Sequence, residues 1–136
     1  MQFSPVVIFF LGVAFSRSAT AIPAAFADFD CTGKINDIFH PLQDAQQALD
    51  NVDAATQQAV SGPLESTLDL VENRFQDKRE IFENPHQTDV DTLNTDIANM
   101  LKSVPNTAAN FALISKLQEA QSAVPVMTNT CKIDTP

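Results

Sequence analysis

Few residues in this chain have types and spacing suited to catalysis. The two histidines, His40 and His86, stand apart, and neither falls in a metal-ligand spacing such as HExxH. His86 is followed closely by Asp89 and Asp91, a set that either holds a small loop metal or simply marks a helix start. There are two cysteines, Cys31 and Cys131. In a secreted chain an even count points to a disulfide, and two cysteines allow one intramolecular pairing. An intermolecular pair or a free thiol is the alternative. The intramolecular bridge would remove the only thiol nucleophiles. No Gly-rich phosphate loop and no GxSxG elbow is present, and abundant carboxylates do not make an acid/base pair by spacing alone. The chain is therefore expected not to be an enzyme, with no catalytic, metal or cofactor residues and no cofactor.

What remains is an excess of large apolar side chains. Leu68, Val71 and Phe75 recur in one segment, Leu93, Ile97, Met100 and Leu101 in the next, and Phe111, Ile114 and Leu117 in the last. Two readings are open. These residues form a close-packed core, or they line an apolar interhelical cavity or groove, for which Met100 and Met127 are suited because Met adapts to irregular space.

The elements that must position them are helical. From Leu64 to Pro105 the apolar residues Leu64, Leu68, Val71, Phe75 and Phe82, then Val90, Leu93, Ile97, Met100 and Val104, return at steps of three, four or seven. Steps of three and four fall on one helical face, so the stretch predicts two helices joined by a turn at Asn84-Pro85-His86. The charged residues Glu72, Arg74, Asp77, Lys78, Arg79 and Glu80 are assigned to the solvated face of the first helix. Thr88 with Asp91 reads as a capping box for the second, with Asn84 before Pro85 as the other start. Upstream, Ile38, Leu42, Ala45, Leu49, Val52 and Ala59 hold one phase across Pro41. They predict a long kinked helix, or two coaxial ones, over about 32–60. Ser61-Gly62-Pro63 reads as the break after it, residues 22–29 as an irregular lead-in, and Pro125 as the end of a last, broadly apolar helix from Thr107. Pro41, Pro63, Pro85, Pro105 and Pro125 fall at intervals of 20 or 22 residues and read as punctuation between helices of similar length. Scarce Gly and the lack of alternating patterns argue against strands, giving an all-α class.

Compartment follows from the first residues. Val6–Phe15 is an apolar run too short to span a bilayer, and Ala19-Thr20-Ala21 supplies a small-x-small cleavage pattern. Residues 1–21 are read as a secretory signal peptide, with cleavage after Ala27 as the alternative, and residues 22–136 as the mature domain. The formal charge of −9 becomes one unit more negative when Arg17 leaves with the leader. An acidic chain without a basic cluster is poorly suited to nucleic acid or anionic membranes. Ten Phe but no Trp or Tyr leave no usual platform for stacking sugars. With no apolar stretch after Cys131, the mature protein is expected to be free and soluble, without a transmembrane segment.

The layout VENRFQDKREIFEN, then DVDTLNTDIANMLKSVP, then FALISKLQEAQSAV, resembles the fungal hydrophobic surface-binding protein A family, which includes antigenic cell-wall galactomannoproteins. Lys78 before Phe82, the Val90/Leu93/Ile97/Leu101 stripe and the Val104-Pro105 break before an Ala-rich last helix carry the resemblance. It covers about 64–126. The Cys31/Cys131 pair and the lack of a Ser/Thr-rich stalk depart from the family pattern. The resemblance implies a secreted, extracellular, cell-wall-associated antiparallel bundle of four to five helices, to which the cysteine pair adds one terminal disulfide. It also implies that the protein binds a fatty acid between its helices or adsorbs to hydrophobic surfaces. A secreted effector or inhibitor that engages an extracellular protein partner through its helical surface is the rival reading.

Overall fold

The computed structural model describes residues 24–135, with side chains from Asp30 onwards. The leader and the preferred cleavage point after Ala21 lie outside the described residues. Four helices account for the described fold. Helix α1 is Ala24–Ala48, closed by a 3₁₀ turn, Leu49–Asn51. Helix α2 begins as Ala54–Val71, passes through a π-helical turn, Glu72–Gln76, and finishes as Asp77–Glu80. Helix α3 is Gln87–Ser103. After a 3₁₀ turn at Ala108–Asn110, helix α4 runs Phe111–Thr130. No strand is present among the described residues, so the all-α class holds.

Each helix packs on its neighbours in sequence, and α1 and α4 close the ring with the most extensive contact of all. The α1–α4 pair is antiparallel. Cys31 at the start of α1 is bonded to Cys131 just past the end of α4, while Asp44 near the end of α1 meets Lys116 near the start of α4. The Cys31–Cys131 disulfide encloses 100 residues of chain. One contiguous core results, built from Ile35, Ile38 and Leu42 of α1, Val60, Leu64, Val71 and Phe75 of α2, Leu93 and Ile97 of α3, and Leu113, Leu117 and Met127 of α4, all fully buried.

Several sequence-level boundaries are corrected. The lead-in is not irregular, because helix already runs from Ala24, so the alternative cleavage point at Ala27 falls inside α1. The long first helix does not continue to Val60. It ends before Asp53, whose carboxylate accepts from the Thr56 amide at 2.8 Å and the Thr56 hydroxyl at 3.0 Å, capping α2. Ser61-Gly62-Pro63 is not a break either. Val60 and Leu64, four residues apart, are both fully buried, and only an unbroken helix keeps both on the core face. Pro125 likewise lies inside α4, where Val124 and Met127 on either side are buried and the continuing helix delivers Cys131 to its partner. Apolar burial outweighs the hydrogen bond each proline removes.

The α2–α3 hairpin forms as its two stripes require, with a different end. Phe82 lies beyond α2 and is exposed, while Arg79, assigned above to the solvated face, is buried. Arg79 Nη1 donates to the Glu83 carbonyl at 2.9 Å and to Asn84 Oδ1 at 3.1 Å, pinning the turn. At α3 neither proposed cap operates. The helix starts one residue before Thr88, and the Gln87 amide donates to the carbonyl of Asp134 at 2.8 Å, while the Asp134 amide donates to the Pro85 carbonyl at 2.9 Å. The segment after the disulfide thus reaches across and caps α3. Asp91 accepts from the Gln87 side chain instead.

Candidate functional site

Seven of the ten candidate apolar residues, Leu68, Val71, Phe75, Leu93, Ile97, Met100 and Leu117, are buried together in the core. Leu101 and Ile114 are half-buried against it. Phe111 stands apart, 70% exposed at the first position of α4.

Helical geometry places these last three. Lys116 reaches Asp44 of α1 at 3.5 Å and Glu119 at 3.1 Å. Glu119, then Asp44, holds the Lys116 ammonium above the ordinary lysine range. Ile114 lies two residues before Lys116, about 200° away around the helix, on the flank away from α1. Phe111, three residues before Ile114, shares that flank. The neighbour on that side is α3, which packs along α4 and ends just after Leu101. Leu101, Phe111 and Ile114 therefore line one end of the α3–α4 seam, above the buried Ile97, Met100 and Leu117. The connection below the seam is held by Asn110, fully buried, whose Nδ2 donates to the Pro105 carbonyl at 2.9 Å.

The opposite end of the bundle carries a second surface feature. An open cleft of about 540 Å³ lies between α1 and the end of α2, with Glu72, Gln76, Asp77, Arg79 and Glu80 on one wall and Thr32 and Asn36 on the other. Gln76 Nε2 donates to Asn36 Oδ1 across it at 3.0 Å. Phe82, 78% exposed, forms its rim next to Ile81, 63% exposed. Neither Arg79 nor this tip was legible as a site from spacing. The available signal was Asn84-Pro85, two residues beyond Phe82, which places the end of the helix before the second aromatic reaches the core.

Among the described residues no group of three or more His, Cys, Asp or Glu side chains is placed to hold a metal ion, and no helix is long and apolar enough to cross a membrane. His40 and His86 are both exposed and sit on different elements, α1 and the α2–α3 turn. Comparison of the chain with protein-family models, with curated proteins and with solved structures finds no match in any of the three.

Proposed function

We propose that this is a secreted, non-enzymatic protein that binds apolar matter, either a fatty-acid-like chain or a hydrophobic surface, starting at the α3–α4 seam. The observation that carries the reading is Phe111, a large aromatic held 70% exposed on the same flank as half-buried Ile114. Exposed Phe111, half-buried Ile114 and Leu101, and fully buried Leu117 form a graded apolar path from solvent towards the core. A chain laid along that path gains about 0.8 kcal/mol per buried CH₂ without any polar contact. Beneath the path Ile97, Met100 and Leu117 are buried in the core, so deeper uptake requires α3 and α4 to part, whereas adsorption needs only the exposed rim. The disulfide supports placement in an oxidising, extracellular setting.

A fluorescent fatty-acid titration and depletion onto hydrophobic beads test the two versions separately. Phe111→Asp should weaken both by about tenfold, since it puts a charge where apolar surface is to be desolvated. Unchanged binding in both assays would end the proposal. Loss of bead adsorption with no fatty-acid binding in either protein would leave the adsorption version alone.

A further inference from the structure

We infer that the cleft between α1 and the end of α2 docks a basic, amphipathic segment of a partner protein, with Phe82 as its apolar anchor. This surface lies at the end of the bundle opposite the α3–α4 seam, so it stands independently of the apolar-ligand proposal.

Three features of the cleft set the partner's chemistry. Its wall carries the carboxylates of Glu72, Asp77 and Glu80, each on an exposed residue. The cations around it are engaged. Arg79, which also lines the cleft, is buried with Nη1 bonded to the Glu83 carbonyl and Asn84 Oδ1, against the three carboxylates of the wall, and Lys78 pairs with Glu83 at 3.4 Å. The wall therefore presents net negative charge within a chain whose formal charge is already −9. Long-range attraction of a cationic partner, followed by short-range pairing in the cleft, is the expected outcome of that distribution.

The rim adds a hydrophobic contact. Ile81 and Phe82 are adjacent and both more than half exposed. An aromatic ring beside carboxylates suits an Arg or Lys side chain, whose stem packs on the ring while its head meets the acids. The volume, about 540 Å³, accommodates a few side chains of a peptide rather than a broad protein face. An anionic lipid surface fits worse, because Glu80 and Glu83 flank the apolar pair and would be pressed against like charge.

The test uses the full mature chain and two synthetic peptides of equal apolar content. One is a Leu/Phe/Lys amphipath, and the other carries Glu in place of each Lys. Binding is followed by amide chemical shifts in NMR. The Lys peptide should bind, with shifts clustered at Asn36, Gln76 and residues 80–82, and its affinity should fall as salt rises. Glu72→Gln combined with Glu80→Gln, and separately Phe82→Ser, should each weaken it about tenfold. Phe82→Gly removes the same ring while favouring the folded backbone, so a loss of binding there cannot come from unfolding. Absence of binding by the Lys peptide would overturn the inference. Equal binding of both peptides, shifts confined to the α3–α4 seam, or full affinity in the Phe82 variants would do the same. Tighter association with anionic vesicles than with the Lys peptide would assign the tip to a membrane instead and also overturn it.

Discussion

Phe82→Gly should stabilise this protein, although it deletes a large apolar side chain. Phe82 follows the last turn of α2 with φ of 59°, in the left-handed region. The Phe82 amide donates to the Arg79 carbonyl at 3.1 Å and the Glu83 amide to the Lys78 carbonyl at 2.7 Å. This is the hydrogen-bond pattern of a Schellman turn, with an aromatic at the position where glycine is usual. An L-residue with a Cβ is strained there by roughly 1–2 kcal/mol. Against that stands the lost contact. Full burial of Phe contributes about 1.5–3 kcal/mol, and with Phe82 78% exposed only about a fifth of that, ~0.5 kcal/mol, is at stake. The net expectation is a gain of about 0.5–1.5 kcal/mol.

Urea denaturation reads this directly, as a shift of the midpoint at unchanged m. Phe82→Ala is the necessary control, because it loses the same ring and keeps the strained Cβ. It should be slightly less stable than the parent, so the glycine variant should exceed the alanine variant by at least ~1 kcal/mol. If Gly and Ala at position 82 are equally stable, the backbone is not strained and the reasoning fails. A stabilised Phe82→Gly that no longer binds the Lys peptide would also explain why a costly aromatic occupies a glycine position.

Cys31→Ser with Cys131→Ser opens a loop of 100 residues and should cost about 2–4 kcal/mol in thermal or urea unfolding, with helical circular dichroism unchanged at low temperature; unaltered stability would mean that the bridge contributes nothing. Gly33→Ala, at an exposed helical site with nothing within 4 Å of the added Cβ, should stabilise by up to ~1 kcal/mol. Gly62→Ala, equally open, should gain less because it precedes Pro63, which disfavours a helical residue bearing a Cβ. Arg79→Met should cost about 1–3 kcal/mol by stranding the Glu83 carbonyl and Asn84 Oδ1, measured by denaturation and by faster amide exchange in the 83–87 turn. The Thr56 amide, then its hydroxyl, holds the Asp53 carboxyl below its ordinary value of 3.8. A depressed folded value means that this contribution is present above the ordinary value and lost as pH falls below it, so Asp53→Asn should flatten the acid side of a melting-temperature profile taken below about pH 4.

The helical hairpin was readable because its stripes survive in the packed structure. Val90, Leu93, Ile97 and Met100 are all buried where the spacing placed them, and α3 ends at Ser103 as expected, although its start at Gln87 falls between the two expected starts. The disulfide was readable from cysteine parity. The prolines misled because a break was inferred from local cost alone. Pro63 and Pro125 are both exposed on otherwise continuous amphipathic stripes, where the buried neighbours Val60, Leu64, Val124 and Met127 reward the unbroken helix. The true break at Asp53 had a local signal, Asp followed by Thr three residues on, but Asp53 also fitted the polar face of a longer helix. Arg79 and Phe82 exchanged roles for a tertiary reason. The π turn at Glu72–Gln76 and the stop after Glu80 bring Arg79 onto the carbonyls of the turn and leave Phe82 outside. No periodicity contains that information. The candidate lining was legible as a set of apolar positions, while the division between buried Leu117, half-buried Ile114 and exposed Phe111 depends on where α3 ends.

The constraints at the two ends of the bundle differ in kind, and this bears on how it would admit an apolar chain. At the end bearing the disulfide, Cys31–Cys131 fixes α1 to α4, the Asp134 backbone caps α3, Asn84 Nδ2 donates to the Asp134 carboxylate at 3.4 Å, and Arg79 ties α2 to the same turn. All four helices are therefore joined there by covalent or hydrogen-bonded links. At the far end, among the described residues, α3 and α4 are joined through residues 104–110, where Asn110 bonds the Pro105 carbonyl and the Asp53 carboxylate that caps α2, with half-buried apolar side chains along the seam. Separating α3 from α4 at this end breaks mainly apolar contacts, which an incoming acyl chain replaces in kind. Separating them at the clasped end would break directional hydrogen bonds, which an acyl chain cannot replace. Any opening of the bundle should therefore hinge on the Cys31–Cys131 end and widen from Phe111. The same clasp adjoins the acidic cleft and Phe82, so the cleft sits at the more constrained end and the α3–α4 seam opens at the less constrained one.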